Sequence, residues 1–458
     1  MDQVFQYATA GAGRFDPAEP VMSVQPVETP QAFPQRPGML DALLGQANGE
    51  LTQSLDAYQL RVQTNDGLQK APVLVFLPGG GFLSGTGMAR WFTQTDRNES
   101  IVHVTVNYPL GILGHLSPSG DPADSDRPLR ALVYALEWVK AHIEQYGGDP
   151  DNITLAGDSA GAWYSYALAT LPETRGLFRR LALISFPRET PLSEDAYHQR
   201  WCMAEEFLAD SGGLEAAPIS EILDAQATLA RHFASRGMAL MPAVTARTPA
   251  NLHDFAQTVP QLHVDELLLL VTEHEAQAFL HPAPEAAFSH DNVAGYSAAH
   301  FEDPDAVHAW LQARGVASPK HQMAQLLTLY QFQQTQYEVA RAASLAGKRV
   351  YAAEFGVASL LTGGSPHCMT LPFLFGNREH WQDAPMLSGV SKSVFERTST
   401  AVRAWFHGFV SSGRPYCGDS DEVQAAFEPT APQRLVFGGE ALASPRLETP
   451  REWELTVR

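Results

Sequence analysis

Apolar residues in the first half of the chain form short continuous runs. Three of these runs are 73–77 (VLVFL), 101–106 (IVHVTV) and 181–184 (LALI), and each ends at or near turn-forming residues. Between the second and third runs, apolar side chains recur every three or four residues over 129–143, which is the spacing of one helix face. Apolar strands that alternate with helices are typical of a mostly parallel sheet covered on both faces. The pattern predicts the α/β class.

The pattern changes between about residues 190 and 345. This segment is rich in alanine and helical in spacing, for example over 219–232 and 323–345, and one apolar run at 267–271 interrupts it. A further run follows at 349–355. Because no linker-like composition marks a boundary, we predict one α/β domain over residues 1–458, with a helix-rich insertion at about 190–345.

The segment 157–161 has the form G-x-S-x-G, with Ser159 at its centre. It follows an apolar run at 153–156 and precedes a helical pattern at 162–168. On a tight turn from strand to helix, a serine presents its hydroxyl above the sheet, and the flanking glycines let strand and helix approach closely. The N–H of Ala160 then faces the oxygen that becomes negative when a carbonyl group is attacked. We therefore predict that Ser159 is a nucleophile.

Three consecutive glycines, Gly79, Gly80 and Gly81, follow the run at 73–77 and Pro78. Consecutive glycines leave backbone N–H groups unshielded, so that two of them can donate to one oxygen. A plain tight turn is an alternative, and so is a phosphate-binding loop, but the latter needs a lysine or G-x-G-x-x-G spacing at the start of a helix. Ahead of a serine motif, the triplet predicts an oxyanion-binding loop.

A serine nucleophile needs a base, and the base needs a carboxylate that orients it. In this kind of fold the chain order is Ser, acid, His, each in a loop after a strand. Glu273 and Glu275 both follow the run at 267–271, and His367 lies in a Gly/Pro-rich loop after the run at 349–355. Other histidines also follow the acids: His281, His290, His300, His308, His321, His380 and His407. Helical patterning favours a structural role for His308, His321 and His407.

Charge limits the classes of partner. The 458 residues include 31 Lys plus Arg and 51 Asp plus Glu, a formal net charge of −20. The five lysines are scattered along the chain. Because binding to nucleic acid depends on clustered cations, we expect no nucleic-acid partner.

The cysteines and the N-terminal residues indicate the cellular compartment. Cys202, Cys368 and Cys417 are far apart and form no C-x-x-C pair, which predicts neither a disulfide framework nor a metal site. The first residues lack the basic and apolar regions of a signal peptide, and the aliphatic run at 267–271 is too short for a membrane span. We expect a cytoplasmic protein without a membrane partner.

Blocks of the sequence resemble, in order, the type-B carboxylesterase and cholinesterase family of α/β-hydrolases. The blocks are 77–85 (LPGGGFLSG), 104–116 (VTVNYPLGILGHL), 135–155, 157–161, 272–280 and 367–376 (HCMTLPFLFG). The resemblance implies the α/β-hydrolase fold and a Ser-His-Glu triad of Ser159, His367 and Glu275. It implies an oxyanion hole formed by the N–H groups of Gly80, Gly81 and Ala160. It also selects Glu275 over Glu273, which the pattern alone leaves open.

The resemblance implies hydrolysis of a small or medium-sized carboxylic ester through an acyl-enzyme intermediate, with no cofactor and no metal. An amidase, a thioesterase or a carbamate hydrolase would use the same groups. Some members of the fold are catalytically silent partner-binding proteins, but these typically lose the nucleophile or the base, and this chain keeps both. Asp158 stands where the family usually has Glu, and Ala276 where it usually has Gly. These departures affect the expected substrate range more than the triad.

Overall fold

The computed structural model describes residues 1–94, 100–234, 237–417, 422–438 and 445–458. The strands are β1 Asp2–Gln6, β2 Ala8–Thr9, β3 Glu19–Pro20, β4 Pro26–Val27, β5 Gln31–Ala32, β6 Thr52–Gln53, β7 Gln59–Gln63, β8 Ala71–Leu77, β9 Val102–Val106, β10 Gly148–Asp158, β11 Arg180–Ile184, β12 Glu266–Thr272, β13 Arg349–Gly356, β14 Arg434–Gly438 and β15 Arg446–Glu448. The helices are α1 Asp41–Leu44, α2 Gly111–His115, α3 Arg127–His142, α4 Ala160–Thr170, α5 Glu194–Phe207, α6 Gly213–Ala216, α7 Ile219–Phe233, α8 Phe255–Thr258, α9 Gln277–Leu280, α10 His290–His300, α11 Pro304–Ala313, α12 Pro319–Thr328, α13 Gln334–Leu345, α14 Leu371–Phe375 and α15 Lys392–Ser412. The predicted alternation of strands and helices is present.

The residues divide into two units. The first comprises Met1–Gly38, Gln46–Leu181 and Glu189–Val264, and the second comprises Met39–Gly45, Ala182–Arg188 and Asp265–Arg458. The helix-rich region predicted at about 190–345 contributes to both units. Its helices α5 to α8 belong to the first unit, and α9 to α13 belong to the second.

In the first unit, the strand order is β10-β8-β9-β7-β1-β4. Strand β8 pairs in parallel with β9 and β10, whereas β7 is antiparallel to both β9 and β1. Helix α4 packs on β8 and β10, which explains why the apolar runs in these strands are buried. Leu77 lies opposite Gly157 in the parallel register. The loops that follow β8 and β10 therefore leave the sheet side by side.

In the second unit, β12 pairs in parallel with β13, and β13 pairs in parallel with β14. Every residue of β12 is buried, as its continuous apolar run predicts. Helix α13 packs on β12 and β13. Thr272 lies opposite Phe355 in register, so the loops after β12 and β13 also begin at one edge.

The structure differs from the predicted pattern within the helix expected over 323–345. There, α12 and α13 are joined by a π-helical turn, Leu329–Gln333. A π-turn adds a residue to the helical repeat and shifts the face that each side chain occupies. Of the helices in the described ranges, none is long and apolar enough to cross a membrane.

Candidate active site

Ser159 lies between the last residue of β10 and the first residue of α4. Its backbone has φ 55° and ψ −122°, a left-handed conformation that a residue with a side chain adopts only where its surroundings impose it. The N–H of Trp163 donates to the carbonyl of Ser159 at 3.0 Å, so the serine starts the helix. Ser159 is half-buried, whereas its neighbours Asp158 and Ala160 are buried. The turn therefore presents the serine at the end of β10.

The flanking glycines allow two backbones to cross at this turn. A β-carbon on Gly157 would lie 2.3 Å from the carbonyl oxygen of Gly161. A β-carbon on Gly161 would lie 2.0 Å from the carbonyl oxygen of Leu77 in β8. Both separations are far below van der Waals contact, and both neighbours are backbone atoms fixed by the sheet or the helix. The G-x-S-x-G spacing is thus required by the approach of α4 to β10 and β8.

Gly161→Ala is expected to destabilise the protein by about 1–3 kcal/mol, because the new methyl group must displace backbone rather than a flexible side chain. Urea denaturation followed by circular dichroism measures the loss. Gly295→Ala in α10 is the matched control, since beyond the nearby backbone of its own helix no described residue has an atom within 4 Å of its β-carbon position. The control is expected to be neutral or about 1 kcal/mol more stable. If the two variants unfolded at the same urea midpoint, the close approach of α4 to β8 at Gly161 would not limit the residue at that position.

Residues 78–85, here called the glycine loop, follow β8. Gly80, Gly81 and Phe82 have φ values of 137°, 59° and 65° in succession. The N–H groups of Leu83 and Ser84 both donate to the carbonyl of Gly80 at 3.1 Å. A β-carbon on Gly80 would lie 1.9 Å from the carbonyl oxygen of Ser84. The turn is closed through the Gly80 carbonyl and has no space for a side chain at that position.

The glycine loop lies directly against the serine turn. A β-carbon on Gly79 would lie 2.8 Å both from the carbonyl oxygen of Asp158 and from the β-carbon of Ser159. The hydroxyl of Tyr108 donates to the carbonyl of Pro78. Burial raises the pKa of Tyr108, and the Asp158 carboxylate raises it further, so this hydroxyl keeps its proton. The structure thus places the start of the glycine loop, at Gly79, against the turn that carries Ser159 and Ala160 in the first unit.

Glu275 and His367 meet in the second unit. Nδ1 of His367 lies 2.5 Å from Oε2 of Glu275, and both side chains are fully buried. The backbone N–H of His367 also donates to the carbonyl of Glu275 at 3.2 Å. Because the carboxylate fixes the proton on Nδ1, Nε2 is the ring nitrogen that can accept a proton.

The other oxygen of the Glu275 carboxylate has two donors. The hydroxyl of Ser185 donates to Oε1 at 2.6 Å, and the N–H of Thr272 donates to it at 2.7 Å. Ser185 has φ 49° and directly follows β11. Ser185 is not among the residues predicted from the sequence, although a serine at the end of an apolar strand is a usable indication. Three donors on one carboxylate fix its orientation.

The second candidate acid does not reach His367. Glu273 has a side chain that is 36% exposed, and its carboxylate lies 3.7 Å from Nδ1 of His274. Phe279 and Phe332 instead pack against the His367 ring, with centroids 4.9 and 5.3 Å away. The structure therefore brings Glu275, and not Glu273, to the histidine.

Comparison with known proteins covers nearly the whole chain. Residues 5–438 match the model of the carboxylesterase family. The "Probable N-octanoylanthranilate hydrolase AqdA2" of Rhodococcus erythropolis is 32% identical over an alignment of 429 residues that covers 89% of this chain and 88% of that protein. The "Phenmedipham hydrolase" of Pseudarthrobacter oxydans is 28% identical over 380 residues, 81% of this chain and 76% of that protein.

Two solved structures show how far the fold is shared. A PNB esterase structure is similar with a TM-score of 0.81 and 22% identity, over 99% of this chain and 94% of that chain. The carboxylesterase EST55 of Geobacillus stearothermophilus is similar with a TM-score of 0.76 and 24% identity, over 98% of this chain and 94% of its own. The likeness therefore extends through both units and is not limited to one motif.

Proposed function

Because this chain belongs to the carboxylesterase family, we propose that Ser159, His367 and Glu275 form the triad with which it cleaves carboxylic esters. The observation that carries the proposal is the buried pair of His367 and Glu275, joined at 2.5 Å. A buried imidazole with a fixed tautomer is suited to accept a proton from a serine hydroxyl. The left-handed conformation of Ser159 supports its assignment as the nucleophile.

In the proposed reaction, the hydroxyl oxygen of Ser159 attacks the ester carbonyl as its proton passes to Nε2 of His367. The N–H groups of Gly80, Gly81 and Ala160 donate to the oxyanion of the tetrahedral intermediate. The intermediate collapses, the C–O bond to the alcohol breaks, and His367 returns the proton to the leaving alkoxide. Water then attacks the acyl-enzyme with His367 as base, which releases the carboxylic acid and restores Ser159.

In this scheme Glu275 orients His367 and does not itself react with the substrate. It holds the Nδ1 proton of His367 and stabilises the imidazolium that forms in each step. Its bonds from Ser185 and Thr272 keep the carboxylate in place while the charge on the ring changes. The substrate class we propose is a small or medium-sized carboxylic ester.

Amide hydrolysis is the second candidate, and a specific observation favours it. The relative that aligns with 89% of this chain is named for N-octanoylanthranilate, in which the acyl group is bound to nitrogen. The same triad cleaves an amide when His367 protonates the leaving nitrogen instead of an alkoxide.

A substrate panel tests these proposals. The p-nitrophenyl ester, the p-nitroanilide and a thioester of one acyl group are compared by kcat/KM, with acyl chains from acetyl to octanoyl. We expect kcat/KM for the ester to exceed that for the anilide by about 100-fold or more, since the anilide is the less reactive acyl donor. A fluorophosphonate probe is expected to label Ser159, as located by mass spectrometry. A larger kcat/KM for the anilide would favour the amidase. The absence of both turnover and labelling would indicate a silent member of the family.

A further inference from the structure

The side chain of Gln226 in α7 lies between the glycine loop and the start of α2. Its Oε1 accepts a hydrogen bond from the N–H of Ile112 at 3.0 Å, and its Nε2 donates to the carbonyl of Leu83 at 3.3 Å. The residue is only 6% exposed. A single side-chain amide thus joins two main-chain segments that are far apart in the sequence, the glycine loop and the start of α2.

Space for this amide depends on a glycine. Gly111 has φ 58°, and a β-carbon there would lie 1.7 Å from Oε1 of Gln226. The N–H of Gly111 donates to the carbonyl of Phe82 at 2.8 Å. The start of α2 therefore holds the glycine loop at Phe82, and Gln226 holds it at the next residue, Leu83.

The anchored end of the loop is coupled to its functional end. The N–H of Leu83 donates to the carbonyl of Gly80 at 3.1 Å, so a shift of Leu83 moves the turn. The ring of Phe82, 1% exposed, packs edge-on against Trp163 and Tyr164 of α4, with centroids 5.6 and 5.4 Å away. The loop is therefore fixed on one side by α4 and on the other by Gln226.

We propose that Gln226 is a positioning residue that sets the placement of the Gly80 and Gly81 N–H groups toward the oxyanion, an inference that rests on the proposed function. Phe82 has φ 65°, a conformation that a residue with a side chain adopts only where its surroundings impose it, so the turn needs support. Oxyanion donors are effective only when they are preorganised at hydrogen-bond distance from the developing charge. Gln226 supplies that support from a helix of the region that the sequence analysis treated as an insertion.

Gln226→Leu removes both hydrogen bonds and keeps much of the volume. We expect kcat/KM for a short p-nitrophenyl ester to fall about 10- to 100-fold, through kcat, with KM changed less than about twofold. Affinity for a trifluoromethyl ketone should fall by the same factor as kcat/KM. In that adduct the Ser159 oxygen bonds to the ketone carbon, its proton passes to His367, and the ketone oxygen becomes an oxyanion.

Gln226→Glu tests the contact with Leu83 separately. Its carboxylate still accepts from the N–H of Ile112 but cannot donate to the Leu83 carbonyl, and repels it instead. We expect a loss of kcat and of ketone affinity similar to that of Gln226→Leu, with Tm lowered as well because the carboxylate is buried beside a carbonyl. This variant also serves if the leucine variant does not fold.

Ile222→Ala is the control for general destabilisation of α7, because Ile222 is fully buried in the same helix. It is expected to lower Tm as much as the Gln226 variants or more, with kcat/KM within about twofold of wild type. Unchanged kcat and ketone affinity in both Gln226 variants, in a protein that hydrolyses esters and is labelled at Ser159, would overturn the inference alone. A wild-type protein that neither hydrolyses nor is labelled would overturn the proposed function, and this inference with it.

Discussion

Replacement of Ser159 by alanine is expected to lower kcat/KM for short p-nitrophenyl esters by about 10⁴-fold or more, with Tm close to wild type. The substitution removes the attacking oxygen and leaves the rest of the turn in place. Alanine and serine meet the same backbone strain at φ 55°, so the conformational cost is equal in both proteins. Steady-state kinetics and thermal denaturation of the purified variant measure the two quantities.

Ser165→Ala is the matched control for this experiment. Ser165 lies in α4, six residues after the proposed nucleophile, and its hydroxyl donates to the carbonyl of Gly161 at 2.8 Å within the helix. Loss of such a bond from a helix residue to its own helix is expected to change kcat/KM less than about twofold. Retention of more than one tenth of the wild-type activity by Ser159→Ala would rule out the assignment of the nucleophile.

Glu275→Gln is expected to reduce kcat by about 10³- to 10⁴-fold. The carboxylate accepts on both oxygens: Ser185 and Thr272 donate to one, and His367 donates to the other. An amide has only one oxygen, so whichever way glutamine is turned, its NH₂ group faces a donor. His367 then loses either the contact that keeps its proton on Nδ1 or the contact that holds its ring in place. The pre-steady-state rate of acylation by a p-nitrophenyl ester measures the effect directly.

Glu273→Gln makes the same chemical change two residues earlier. Glu273 is partly exposed and its carboxylate lies nearest to His274, so kcat is expected to stay within about twofold of wild type. Similar losses in the two variants would mean that a general change in charge, and not the contact with His367, lowers the rate.

Much of the fold and of the arrangement of candidate residues could be predicted from the sequence. The chain belongs to the predicted family, and the likeness to solved esterases over nearly its full length confirms the predicted α/β-hydrolase fold. The runs at 73–77 and 153–156 lie in adjacent parallel strands, which is why motifs far apart in the chain meet at one sheet edge. Each predicted site residue follows a strand whose apolar run is visible in the sequence.

Contacts made by polar side chains at long range could not be predicted in the same way. Ser185 is 90 residues from Glu275, and Gln226 is 143 residues from Leu83. Periodicity indicates which face of an element is buried, but it does not indicate which residue that face meets. The π-helical turn at 329–333 was not predicted either, because it lies inside a segment that is helical on both sides of it.

The helix-rich region at about 190–345 does not coincide with one unit, because the chain passes from the first unit to the second between Val264 and Asp265. Helices α5 to α8 pack within the first unit, and α9 to α13 pack within the second. An alanine-rich helical sequence is compatible with either unit, because its apolar face can pack on many different surfaces.

The close approaches at the glycine loop also matter for directed evolution. At Gly80 and Gly85, a side chain would overlap backbone oxygens at 1.9 and 2.3 Å, so saturation libraries at these codons would yield mostly misfolded clones. Apart from its two chain neighbours, no described residue has an atom within 4 Å of the β-carbon position of Gly81, and its φ of 59° is one that asparagine and aspartate tolerate. A library restricted to those two residues at Gly81 would add polar side chains beside the proposed oxyanion site without disrupting the turn.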